Sequence, residues 1–113
     1  MRQDRDRLLD ILEAIERIEK YADKGKTAFN SDELVQTWII HHIQIIGEAA
    51  RRISDEMRLR HSEIPWNQII GMRNVLVHDY FGIDLEEVWF TVIRDIPDLR
   101  KKIQEVLREF ERS

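Results

Sequence analysis

The sequence predicts an all-α protein, an up-and-down four-helix bundle with a kinked fifth C-terminal helix. Three observations carry this. Apolar residues recur at spacings of three and four through most of the 113 residues, the period of an amphipathic helix and not of a strand. Only 4 glycines and 2 prolines are present, too few for the tight turns of an all-β fold. The polar connections between the periodic stretches are short, which favours antiparallel neighbours.

Leu8, Ile11, Leu12, Ile15 and Ile18 fall on one face with Asp, Glu and Arg between them, which predicts a helix over residues 4–22, ended by Gly25 and its polar neighbours. Asn30 and Ser31 are placed to cap a second, long helix that opens on Asp32 and Glu33 and runs to about residue 58 through Trp38, Ile46 and Ile53. The small residues Gly47, Ala49 and Ala50 would let a neighbour approach its middle. Ile64-Pro65 marks a break, because the residue before proline avoids the helical region while proline suits a first helical position. A third helix then runs from Pro65 to about Tyr80, with Gly82 as its stop. Asp84 and Glu87 have the spacing of a capping box and open a fourth helix, Leu85 to about Asp95. Pro97 should break or kink it, and Leu99, Ile103, Val106 and Phe110 form the stripe of the last segment. No internal repeat interrupts the chain, and residues 1–113 read as a single domain.

Composition narrows the functional classes. Hydrophobic residues at 42% and charged ones at 35% suit a folded, highly charged helical protein. The absence of cysteine removes disulfides, thiolate zinc sites and cysteine nucleophiles, and agrees with a reducing cytoplasm. The opening Met1-Arg2-Gln3-Asp4-Arg5-Asp6-Arg7 has no apolar stretch of signal-peptide type, and no later run is long enough to span a bilayer. A soluble, cytoplasmic protein without a membrane partner is expected. The formal charge of -4 argues against a surface that binds nucleic acid over its whole area. Locally, Arg51, Arg52, Arg58, Arg60 and His61 crowd together, opposed by Asp55 and Glu56. Two readings stand side by side, an RNA-binding surface that tracks phosphates and a solvated helix end whose cations complement the macrodipole.

The densest chemistry lies at Arg73-Asn74-Val75-Leu76-Val77-His78-Asp79-Tyr80. Arginine is a permanent planar cation suited to phosphate oxygens, and histidine is the side chain whose unperturbed pKa lies near neutrality. At about 100° per residue, Ile69, Met72 and Leu76 share the core sector of the third helix, while Asn74 and His78 fall roughly opposite. Arg73 and Tyr80 share a flanking edge. His78 therefore sits off the apolar stripe, and residue type leaves open an acid–base group or a surface imidazole without a role. Ile70 and Val77 are placed to expose apolar groups between arginine and histidine, a side that a second protein surface would cover. If that surface is another copy related by a two-fold axis, two Arg/His sets pool in one cleft. Such a cleft has what RNA cleavage needs: a base for the 2′-hydroxyl, an acid for the leaving 5′-oxygen and cations for the charge on phosphorus. DNA lacks that hydroxyl, so the chemistry predicts RNA specificity.

On the second helix, His41, Gln44, Glu48 and Arg51 lie opposite Ile39, Ile45, Ile46, Ala49 and Ile53. Glu48 is placed either to hold the guanidinium of Arg73 or to stand as a solvated carboxylate. His42 falls among the apolar residues and reads as buried or interfacial. No histidine and carboxylate set has metal spacing, so no metal and no cofactor is expected.

Beyond this motif, Ile45-Ile46-Gly47-Glu48-Ala49-Ala50, Ile64-Pro65-Trp66 through Asn74, Val77 through Asp84, Val88-Trp89 and Asp95-Ile96-Pro97 stand in an order that resembles the HepT-type HEPN family, over roughly residues 38–103. The resemblance implies a four-helix HEPN bundle and a homodimeric, metal-independent endoribonuclease acting as the toxin of a toxin–antitoxin pair. It implies catalytic roles for Arg73 and His78, a supporting role for Asn74 and a site-shaping one for Glu48. Transfer RNA is the first substrate class it suggests and messenger RNA the second. Tyr80 occupies the place of a tyrosine that an MNT-type nucleotidyltransferase antitoxin modifies with AMP. Related HEPN-like domains also keep open a noncatalytic helical module that presents substrate to a nucleotidyltransferase, and a plain dimeric scaffold is the third reading.

Overall fold

A computed structural model describes residues 3–78 and 84–112, leaving out the side chains of 73–78. The described elements are all helical. Helix α1, Asp4–Ala22, covers the expected span and buries Leu8, Ile11, Ala14, Ile15 and Ile18 along one stripe. It ends in a turn at Gly25, whose φ of 93° is a conformation that side chains with a Cβ rarely adopt.

A short helix α2, Lys26–Ser31, occupies what reads in sequence as a connection. Its fully buried Phe29 packs on Trp89 with ring centroids 5.2 Å apart. Helix α3, Glu33–Arg51, is capped by Asp32, whose carboxylate accepts the Leu34 N–H at 2.9 Å. The expected caps Asn30 and Ser31 instead lie in α2, where the Ser31 hydroxyl donates to the Thr27 carbonyl at 2.9 Å. Gly47, Ala49 and Ala50 are buried.

The second helix is shorter than its apolar stripe suggests. It stops at Arg51, and a separate helix α4, Asp55–Arg60, starts after Ser54, whose hydroxyl accepts the Met57 N–H at 3.2 Å. Satisfying that orphan amide with a serine side chain, with Asp55 and Glu56 in the first turn, favours a new start over continuation. Ile53, which extends the stripe, is buried in the connecting turn.

Helix α5, Trp66–His78, follows the expected break at Ile64-Pro65. Trp66 fixes its start by burying the ring and donating its indole N–H to the His61 carbonyl at 3.0 Å. The expected stop at Gly82 lies outside the described residues. Asp84 caps α6, Leu85–Phe90, accepting from the amides of Glu86 and Glu87 at 3.0 and 3.4 Å. A π-helical turn, Thr91–Asp95, then joins α6 to α7, Ile96–Arg112. The expected fourth helix and C-terminal tail are thus one helical run. Proline at 97 lacks an amide and crowds the carbonyl four residues back. The wider turn, in which Ile96 N–H reaches the Thr91 carbonyl, lets the run pass that point without a break.

Helix α1 packs between α3 and α7, and α5 packs on α3. Direction follows from the cross-links: Trp38, early in α3, donates to the carbonyl of Arg17, late in α1, at 2.9 Å, and Ser54 after α3 meets Asp4 at the start of α1. Arg100, early in α7, reaches Glu19, late in α1, at 2.6 Å. Both neighbours of α1 therefore run antiparallel to it.

Candidate functional site

Arg73, Asn74 and His78 all belong to α5, and a rise of about 1.5 Å per residue separates the first and last by roughly 7–8 Å along its axis. Their side chains, and all of Tyr80, lie outside the described residues. What the structure supplies is the support of the helix that carries them. Trp66 is buried at its start, and Ile69, Ile70 and Met72 are half-buried against the core. Ile70 was expected to stand exposed; the helix instead turns it partly inward. The side chains of Leu76 and Val77 are among those left out. Between α5, α3 and the π-turn is a cavity of about 100 Å³ whose lining includes Ile43, Ile46, Ile69, Met72, Thr91 and Asp95.

Glu48 is half-buried on α3. Its Oε1 accepts from Nη2 of Arg51 at 3.1 Å and from Nε of Arg52 at 2.9 Å. Those two hydrogen bonds, Arg51 first, hold its carboxyl below the usual carboxylate range. Whether it also reaches Arg73 concerns a side chain outside the description.

The other candidate RNA-binding arginines are engaged in different ways. Arg58 donates from Nη2 to the carbonyls of Ala50 at 3.1 Å and Arg51 at 2.6 Å, closing the C-terminus of α3. This is the helix-end role that the sequence left open for it. Arg60 pairs with Glu56 at 3.3 Å on the surface of α4. His61 leaves the cationic run altogether: it is buried, with Nδ1 3.3 Å from Glu63 and Nε2 3.2 Å from Glu109.

His42 is buried, as its place on the apolar face suggests. Its Nδ1 is 2.7 Å from the Trp38 carbonyl, which can only accept, so that nitrogen carries the hydrogen. The imidazole lies against the Trp38 ring at 4.5 Å between centroids. Burial, ahead of the opposing backbone hydrogen bond, pushes its pKa down. Among the described residues, no group of three or more His and carboxylate side chains could hold a metal ion. Nor is any described helix long and apolar enough to cross a membrane. One surface feature was not singled out in sequence: Arg94 in the π-turn lies over the ring of Phe90 at 4.9 Å. Their spacing of four on a helical run was the available signal.

The family model described as Ribonuclease HepT-like matches residues 11–106. The chain belongs to the HepT-like ribonuclease family. Arg73, Asn74, His78, Tyr80 and Glu48 all fall within the matched span. Among curated relatives, the chain is 40% identical over 106 residues to a protein of Thermococcus cleftensis named Probable ribonuclease HepT, covering 93% of this chain and 96% of that protein. It is 37% identical over 81 residues to a protein of Caldanaerobacter subterraneus subsp. tengcongensis named provisionally as an RNase, covering 72% of each. A protein of Methanocaldococcus jannaschii, named as a gamma-glutamylcyclotransferase and provisionally as an RNase, is 38% identical over 104 residues. That alignment covers 91% of this chain and 47% of the relative, so the chain spans about half of that protein's length. No solved structure gives a significant match. The HepT-like frame agrees with the all-α bundle described above, in which α5 and the π-turn flank one cavity.

Proposed function

We propose that this HepT-like chain is a metal-independent endoribonuclease that works as a homodimer and is the toxin of a pair with an MNT-type nucleotidyltransferase antitoxin. The single observation that carries the reading is the family match over residues 11–106, which contains Arg73, His78 and Tyr80 in the R-x4-H-x-Y order. Support also comes from the placement of Arg73 and His78 on one helix.

In this reading two copies set their α5 helices against a shared groove. One His78 accepts the proton of a ribose 2′-hydroxyl as its oxygen attacks the adjacent phosphorus, and the bond from phosphorus to the 5′-oxygen breaks. The partner's His78, protonated, supplies the proton that the leaving 5′-oxygen takes. The products are a 2′,3′-cyclic phosphate and a 5′-hydroxyl. Arg73 from each copy bears on the phosphate oxygens, where charge builds in the transition state. Asn74 orients His78 or donates to the same oxygens, and Glu48 shapes the site from α3. Transfer RNA is the substrate class put first and messenger RNA second.

The test is cleavage of RNA by the purified dimer and by its His78→Ala variant. Loss of roughly a hundred- to ten-thousandfold in rate is expected for removal of a general acid–base. Equal cleavage by the two overturns the assignment. Intact RNA with the wild type, together with a gain in activity of a neighbouring nucleotidyltransferase, would favour the accessory module instead.

A further inference from the structure

We propose that helix α1 pairs with α1 of a second copy of this chain, antiparallel about a two-fold axis that passes between Asp10 and Ile11, along the groove that α1 forms with α7. This contact is separate from the α5 pairing of the proposed function and does not rest on it.

Leu9, Leu12 and Leu107 form the apolar floor of a groove of about 300 Å³ between the two antiparallel helices, with Arg5, Arg108 and Glu111 also lining it. Leu9 is 37% exposed, and the inward stripe of α1 is complete without it, in Leu8, Ile11, Ala14, Ile15 and Ile18. At about 100° per residue, Arg5, Leu9, Leu12 and Glu16 share a sector of roughly 60° beside that stripe. An apolar seam between charged ends is the pattern of a helix face that meets another helix.

Charge selects the occupant. Other arginines of the described surface already have carboxylates: Arg17 has Glu13, Arg60 has Glu56, Arg94 has Asp95 and Arg100 has Glu19. The side chains of Arg5 and Glu16 are exposed and make neither hydrogen bond nor ion pair among the described residues. The order Arg5-x3-Leu9-x2-Leu12-x3-Glu16 has the same steps read from either end, and its two ends carry opposite charge. Laid antiparallel on itself, it sets Leu9 against Leu12 of the other copy and Arg5 against Glu16 of the other copy, each ion pair about 8 Å along the helix from the centre. A two-fold contact requires this self-complementarity, because every residue must suit the one that its own mate faces. A nucleic acid would instead call for one sign of charge along the groove.

The face is distinct from the motif helix. Helix α5 packs on α3, whereas the groove lies where α1 meets α7. Two-fold pairing through both α1 and α5 therefore builds an assembly of four copies.

The experiment measures the association of the full chain by sedimentation equilibrium at low salt, for the wild type, Arg5→Glu, Glu16→Arg and the double variant. Each single reversal sets like charges together twice per contact and should weaken association roughly ten- to a hundredfold. The double variant exchanges the ends and should restore it, as should an equimolar mixture of the two single variants. A monomeric wild type overturns the contact, as do single variants that associate like the wild type. Weakened single variants that neither the double exchange nor the mixture rescues overturn the antiparallel register. A wild-type tetramer that R5E reduces to a dimer upholds the α1 contact beside the α5 pairing. A wild-type dimer that R5E reduces to a monomer upholds the α1 contact and removes the α5 pairing from the proposed function.

Discussion

Asp4 clasps Ser54 with both carboxylate oxygens, Oδ2 accepting the hydroxyl hydrogen at 2.6 Å and Oδ1 the backbone N–H at 3.0 Å. The same hydroxyl oxygen accepts the Met57 amide at 3.2 Å. One serine thus starts α4 and ties the α3–α4 junction to the beginning of α1. Ser54→Ala loses the cap and half of the clasp and should destabilise the fold by about 1–2 kcal/mol. Asp4→Ala should cost less, because its bonds are exposed and the cap survives. Urea unfolding of both variants and their double mutant checks this. The two effects should fall short of additive, since they share one bond.

That junction also shows where the sequence is legible and where it is not. Helix α1 and the starts of α5 and α6 are readable because long periodic stripes end in residues that cap or break. The second helix reads too long because Ile53 and Met57 both continue its apolar stripe, which outweighs the start signal of Ser54-Asp55-Glu56. Helix α2 has one anchor, Phe29, and six residues give no period to count. The π-turn is not legible in the apolar pattern, although Pro97 marks the place where the ladder is interrupted. The buried residues 88, 92 and 96 have the same spacing as Val35, Ile39 and Ile43 in the regular helix α3, so that spacing alone does not mark the wider turn. At the site, residue types and order were legible on α5, and Glu48 lies within one turn of both its arginines. The burial of His61 was not, because its partner Glu109 comes from the far end of α7.

His42 gives a prediction with a definite sign. Burial lowers its folded-state pKa below the ordinary 6.5, with His41 and Arg17 acting in the same direction and the Trp38 carbonyl and Glu13 opposing. A proton therefore binds the unfolded chain more readily than the folded one. The stability associated with neutral His42 is complete above the ordinary value and is lost as pH falls toward the folded-state value. His42→Asn keeps a donor for the Trp38 carbonyl but does not titrate. It should be less stable than the wild type at about pH 7.5, through the space it leaves, and should lose less stability on going to about pH 5.5. Denaturant midpoints at the two pH values measure both effects; an unchanged acid slope would remove His42 as its source.

Arg51 and Arg52 share the Glu48 carboxylate yet remain about half exposed. If they also track phosphate, exchanging both for Gln removes two cations without deleting a helix cap. The expected outcome is weaker RNA binding at low salt, with the slope of log affinity against log salt reduced by about 1–2. Thermal stability should change little, because pairs this exposed contribute about 0–1 kcal/mol. Arg58 is the contrasting case. Its bonds to the Ala50 and Arg51 carbonyls make it a helix-end residue, and Arg58→Gln should lower the melting temperature more than it alters the salt slope.

Tyr80 carries the regulatory part of the proposal. Its phenolic oxygen is the atom on which a transferred AMP would form a phosphodiester, and each such group adds a negative charge and a bulky nucleoside two residues from His78. RNA would then be repelled by charge and blocked by volume at once. Tyr80→Phe keeps the ring and removes only that oxygen. It should cleave RNA as the wild type does, resist neutralisation by the cognate nucleotidyltransferase and show no mass increase after co-expression. The wild type should gain the mass of one or more AMP groups and lose activity with it. If the Phe variant is silenced equally well, silencing acts through binding or through another residue, and covalent control at position 80 is excluded.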